Sequence, residues 1–201
     1  MASSARTVSL QRKTSETDVS LTLNLDGTGK NQISTGIGFL DHMLDLFGKH
    51  ALMDLTVEAK GDLHIDAHHT TEDVGLVLGQ ALKEALGDKR GINRYGHAYV
   101  PMDEALARAV VDFSGRPHLA WDATFEMPTL GTMETELFRE FFQGVTNASQ
   151  ANVHIAVLYG ANSHHKAEAC FKAFARAVRM AVSVDPRAAD QIPSTKGALD
   201  G

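Results

Sequence analysis

Two stretches of this chain, DAHHTTEDVGLVLGQALKEAL from Asp66 and NSHHKAEACFKAFARAVRMAV from Asn162, carry one unusual pattern. Adjacent histidines are followed by a glutamate four residues after the first of them and then by an amphipathic helix. Laying His68-His69 on His164-His165 puts Glu72 on Glu168 without a gap. Each copy is preceded by a helix-patterned segment and a strand-like one. GFLDHMLDLFGKHA and LMDLTVEAKG lead into the first copy, and ETELFREFFQGVTNASQ and ANVHIAVLYG lead into the second. The earlier helices bring His42 and Glu140 to matching places, 26 and 24 residues ahead of their histidine pairs. A duplicated helix, strand and helix constrains the fold strongly, because each half must bury its apolar helix faces against its own strands. The expected class is α+β, a two-layer α/β sandwich built by internal duplication. It forms a single unit with halves at about 6–92 and 93–190 and a C-terminal segment at 191–201, and the repeat helices are predicted from about Glu72 to Leu86 and Lys166 to Val182.

The rest of the pattern is β-rich. DVSLTLNLDGTGKNQIST alternates Val19, Leu21, Leu23 and Leu25 and turns at Asp26-Gly27, which predicts a half-buried strand entering a hairpin. The Gly-rich DGTGK is read as that turn, since a phosphate loop needs a helix behind it and a polar strand follows instead. The middle third has short β-like runs broken at Pro101, Gly115 and Pro117.

Composition narrows the function classes. A formal charge of −6 without a long basic run argues against a nucleic-acid surface, and no window approaches the apolar length of a membrane span. The single cysteine, Cys170, falls on an apolar helix face and reads as packing. A cytoplasmic protein is expected, with the Ser- and Ala-containing start read alternatively as the remnant of a transit peptide.

Helical residues four apart share a face, so His68 can share a metal ion with Glu72 while His69 points elsewhere; the same holds for His164, Glu168 and His165. Adjacent ligands facing different ways suggest two metal centres, each collecting donors from more than one helix. Imidazole and carboxylate donors without thiolate fit Mn, Fe, Co, Ni or Zn and lean toward octahedral Mn(II). One such pattern is often a capping or surface arrangement, whereas two at equivalent places make coincidence the weaker account. His97 and His154 are expected to pack or bond to backbone, and His50 to support the site.

At these residues the chain resembles the imidazoleglycerol-phosphate dehydratases. RKTSET, FLDHMLDLFGKH, DAHHTTEDVG, PMDEALA, DFSGRP, SHHKAEACFKAFARA and PSTKGAL follow that family's sequence in order. The resemblance implies metal ligands at His42, His68, His69, Glu72, His164, His165 and Glu168. Many members have a histidine where this chain has Glu140, which leaves Glu140 open between a carboxylate ligand and a helix-surface residue. The resemblance also implies Glu16 in the site as acid/base, with His68 and Glu168 completing the catalytic set. Arg94, Arg116, Ser194, Thr195 and Lys196 would surround a substrate phosphate, with Lys49 and His50 nearby; Asp103 and Glu104 stay open between supporting and structural roles.

The implied reaction dehydrates D-erythro-imidazole glycerol phosphate to imidazole acetol phosphate in histidine biosynthesis. No carbonyl flanks the C–H bond, so the electrons need another source, and an imidazolate ring held between two Mn(II) ions can expel the adjacent hydroxyl. The resemblance further implies a homo-oligomer of 24 subunits with sites at subunit contacts. The rivals are a metal-dependent phosphatase or other hydrolase, whose sites carry more bridging carboxylates, and a metal-assembled structural protein, which has no use for the arginines or PSTKG.

Overall fold

The computed structural model describes residues 6–199; residues 1–5, the candidate transit remnant, and the last two residues of the C-terminal segment lie outside them. The first half runs β1 (Thr7–Lys13), β2 (Thr17–Asn24), β3 (Asn31–Ser34), α1 (Gly38–Ala51), β4 (Asp54–Gly61) and α2 (His68–Leu86). The second runs β5 (Tyr95–Met102), β6 (Ala105–Asp112), β7 (His118–Asp122), α3 (Leu137–Ser149), β10 (Asn152–Tyr159) and α4 (Ser163–Val182). A small hairpin, β8 (Thr129–Leu130) and β9 (Met133–Glu134), is inserted before α3. The sheets are ordered β1-β2-β4-β3 and β5-β6-β10-β7, so the duplication holds strand for strand. In each, the long central pair is antiparallel and the short third strand joins in parallel, Ile33 facing Val57 and Trp121 facing Ile155.

Alternation sets the inner face of each sheet. Val19, Leu21 and Leu23 of β2 and Leu55 and Val57 of β4 are buried in the first, and Ala107, Ala109, Val111, Val153 and Ile155 in the second. Each half is thus a sheet with helices on one face, as the periodicity predicts. The helices then pair across the halves, α1 with α4 and α2 with α3, and the apolar interior of both is one cluster. At its centre Phe47 stacks on Phe174 at 5.6 Å and Phe142 meets Phe171 at 4.8 Å. A fully buried ring of this size contributes about 2 kcal/mol.

The contact between α2 and α3 depends on glycine. A Cβ at Gly75 would lie 2.5 Å from the Phe141 carbonyl oxygen, and one at Gly79 would lie 2.4 Å from that of Val145.

Two expectations are corrected. Asp26-Gly27 does not close a hairpin onto β3: Asp54 Oδ1 accepts hydrogen bonds from the Thr28 and Lys30 N–H groups, carrying the chain past β4 to pair on its far side. The hairpin of the first half lies instead between β1 and β2, at Thr14–Glu16. The repeat helices also begin earlier than their apolar spacing suggests. Asp66 accepts from the His68 N–H and Asn162 caps α4 through the His164 and His165 N–H groups, so both histidine pairs sit inside the first helical turn.

Candidate metal centre and active site

The pairing of α1 with α4 produces the densest donor group among the described residues. His42 Nε2 lies 2.9 Å from Glu168 Oε1, and His164 Nε2, one turn before Glu168 on α4, lies 3.0 Å from the same oxygen. The three ligand atoms are within 4.8 Å of one another, the one such group among the described residues. Phe39 props the histidines, its ring edge-on to His164 at 5.2 Å. Both imidazoles are about half open, 44% and 45% exposed, while the carboxylate is only 9% exposed. Two imidazole nitrogens and one carboxylate oxygen on two rigid helices, with open directions beyond them, fit a divalent ion that keeps positions for substrate.

Burial pushes the Glu168 carboxyl up, but hydrogen bonds from Lys172, His42 and His164 outweigh it and hold it down to about 2. Lys172 Nζ reaches Glu168 Oε2 at 2.5 Å from one turn further along α4. Sequence reasoning missed this lysine; an i,i+4 Glu-Lys pair reads as an ordinary helix-surface pair, and only the buried carboxylate gives it a function. The matching residue of α2, four after Glu72, is Leu76.

The second histidines do face another way. The planes of His68 and His69 are 87° apart and those of His164 and His165 84° apart. His69 Nδ1 is bound by Asp62 at 2.9 Å and its Nε2 lies 3.9 Å from Glu16 Oε1. His165 Nδ1 is bound by Glu104 at 2.7 Å and its Nε2 lies 3.9 Å from Asp103. Each second histidine is therefore oriented at Nδ1 by a carboxylate, leaving Nε2 as the free donor. These bonds hold Asp62 and Glu104 below, and His69 and His165 above, their ordinary values. Asp62 carried no sequence signal, because its contact with His69 depends on how the loop before α2 folds.

His68, Glu72 and Glu140 lie on the paired helices α2 and α3 but form no donor group of the kind found at His42, and the Glu140 carboxylate pairs with Arg139 at 3.2 Å. Lys49 and His50 end α1. Burial, and then the charges of Lys172 and Arg176, lower the His50 pKa. Arg94 grips Asp112 with two nitrogens, at 2.7 and 3.1 Å, and donates to the Pro193 carbonyl, which seats the PSTKG segment beside β5. Ser194 Oγ accepts from the Lys196 N–H, and Thr195 and Lys196 are exposed at the tip. Arg116 is exposed in the turn before β7, and no hydrogen bond or ion pair joins it to Arg94 or the tip among the described residues. His97 and His154, expected to pack or bond to backbone, are instead exposed on the outer face of the second sheet, because the alternation of β5 and β10 turns them outward, and the His154 ring lies 6.0 Å from that of His118.

No helix among the described residues is long and apolar enough to cross a membrane. A family profile described as imidazoleglycerol-phosphate dehydratase matches residues 35–178. The chain is 61% identical over 194 residues to the imidazoleglycerol-phosphate dehydratase of Granulibacter bethesdensis, covering 96% of this chain and 99% of that one. It is 59% identical to that of Hydrogenovibrio crunogenus, covering 96% and 100%. The crystal structure of the Staphylococcus aureus enzyme superposes with a TM-score of 0.81 at 43% identity, covering 89% of this chain and 99% of that one. That of Pyrococcus furiosus does so with 0.81 at 35% identity, covering 94% and 100%. Duplicated sheets, crossed helices and sequence agree: this chain belongs to the imidazoleglycerol-phosphate dehydratase family, the lyases of histidine biosynthesis.

Proposed function

We propose that this chain dehydrates D-erythro-imidazole glycerol phosphate to imidazole acetol phosphate in the cytoplasm, with two Mn(II) ions per site, as a 24-subunit homo-oligomer. The observation that carries the reading is the convergence of His42, His164 and Glu168 on one point, across the two halves of the duplication. His68, Glu72 and Glu140 are the matching set on α2 and α3. His69 and His165, their rings nearly perpendicular to those of His68 and His164, supply donors to neighbouring copies, which is why the assembly and the site would form together. Mn(II) held there would supply Lewis acidity that favours the deprotonated imidazole ring of the substrate.

The chain's own residues do the rest. The reaction removes a hydrogen from one carbon and a hydroxyl from its neighbour, and the resulting enol becomes the ketone. Glu16, with its carboxylate 52% exposed beside His69, takes or returns the proton at Oε1. Arg94 and Arg116, with Ser194, Thr195 and Lys196, bind the phosphate dianion, and Lys49 and His50 add to the field around it. Binding energy from the phosphate holds the ring in place during the chemical step.

The test is turnover of imidazole glycerol phosphate by metal-stripped protein before and after Mn(II), with particle size followed on the same samples. Water loss and a large particle appearing together support the proposal. Phosphate release instead would indicate a hydrolase, and assembly without turnover would indicate a structural protein.

A further inference from the structure

The two hairpins that face the second histidines are anchored differently. In the second half the glutamate just before β6, Glu104, is itself the anchor: it accepts from the Ala161 and Asn162 N–H groups at 3.1 and 2.7 Å and from His165. In the first half the glutamate at the same place, just before β2, is Glu16, and among the described residues its carboxylate accepts no hydrogen bond. The anchoring there is done from the helix. Asp73 on α2, 6% exposed, binds Arg12 of β1 and the hydroxyl of Thr17, the first residue of β2. Thr14 closes the turn by accepting from the Glu16 and Thr17 N–H groups at 3.1 and 3.0 Å. In the register that lays His68 on His164, the position of Asp73 is taken by the buried Ala169, and β6 begins with Ala105 where β2 begins with Thr17. The duplicate has no counterpart of this clamp.

We infer that Asp73 is a positioning residue for catalysis: by clamping Arg12 and Thr17 it fixes the hairpin to α2 and frees the Glu16 carboxylate for proton transfer beside His69. The inference rests on the proposed acid/base role of Glu16. A buried carboxylate holding two partners at the end of a hairpin restricts where the residue next to it can move. A misplacement of about 1 Å at the reacting atoms costs on the order of a hundred-fold in rate.

The experiment uses the Mn(II)-loaded assembly and imidazole glycerol phosphate, with Asp73→Asn, Thr17→Val, Glu16→Gln and the double variant Glu16→Gln/Asp73→Asn. Asp73→Asn and Thr17→Val are each expected to lower kcat by about ten- to a hundred-fold, with KM, metal content and particle size unchanged. Asp73→Asn should add nothing further to Glu16→Gln, since residues acting through one another are not additive. If Asp73→Asn does not assemble, Thr17→Val, which removes one hydroxyl without changing shape, decides alone. Wild-type kcat in Asp73→Asn or Thr17→Val, or full additivity with Glu16→Gln, overturns the inference while leaving Glu16 in place. Wild-type kcat in Glu16→Gln overturns the role of Glu16, and the inference with it.

Discussion

His42 on α1 and Glu168 on α4 meet at 2.9 Å although 126 residues and the junction of the two halves separate them. Neither half of the duplication completes this group alone. Glu168→Gln keeps the shape but removes the charge on which His42, His164 and Lys172 converge, and it leaves Lys172, 15% exposed, without its anion. With the two Mn(II) ions proposed per site, the expected result is the loss of one of them, measured by elemental analysis, with kcat lower by about a hundred-fold or more. Undiminished metal content would remove Glu168 from the ligand set.

The Glu104–His165 pair sets a pH window. Glu104 is held down to about 2, chiefly by His165, so its contribution to stability is complete above 4.5 and is lost as the pH falls toward 2. His165 is raised above 6.5, chiefly by Glu104, so its contribution is complete below 6.5 and is lost as the pH rises through the raised value. In metal-free protein the Tm difference between wild type and Glu104→Gln should peak between these two limits and shrink on either side. A difference flat across pH would mean that the contact is not ionic.

Gly79→Ala tests the close approach of α2 to α3. Helix propensity alone favours alanine by about 1 kcal/mol, but the new Cβ would lie 2.4 Å from the Val145 carbonyl oxygen and forces the helices apart. Overpacking of this kind costs about 1–3 kcal/mol. The expected result is a lower Tm; a raised Tm would show that α2 and α3 separate without penalty.

Arg94→Lys keeps the charge but not the two-nitrogen grip on Asp112 or the reach to the Pro193 carbonyl. Trypsin cleavage after the exposed Lys196 should become at least several-fold faster, followed by mass spectrometry of the released C-terminal peptide. Unchanged cleavage would mean that the segment is seated by its other contacts, Arg90 with the Asp190 carbonyl and Lys89 with that of Leu199.

Much of this was legible in the sequence, for identifiable reasons. Helical spacing located α1 to α4, and the repeated glutamate four residues after a histidine marked one face of a helix whatever it packed against. What the sequence could not supply was partnership between distant segments. The parallel pairing of β3 with β4 follows from Asp54 gathering the Thr28 and Lys30 N–H groups, a contact that alternation does not encode. Asp62 and Glu104 bind the second histidines from loops whose paths depend on the finished sheets. Glu140 was open in the sequence, and within one chain its carboxylate turns to Arg139.

The crossing of the helices bears on how such a molecule could have arisen. Because α1 rests on α4 and α3 on α2, an ancestral half-length chain would have found the same crossings only in a second copy of itself. Its His–His–Glu group would then have belonged to a pair of molecules from the start. Joining two copies end to end would preserve those crossings and free the twin sites to diverge, as Lys172 in the place of Leu76 and the hydrogen-bonded Glu104 in the place of Glu16 illustrate.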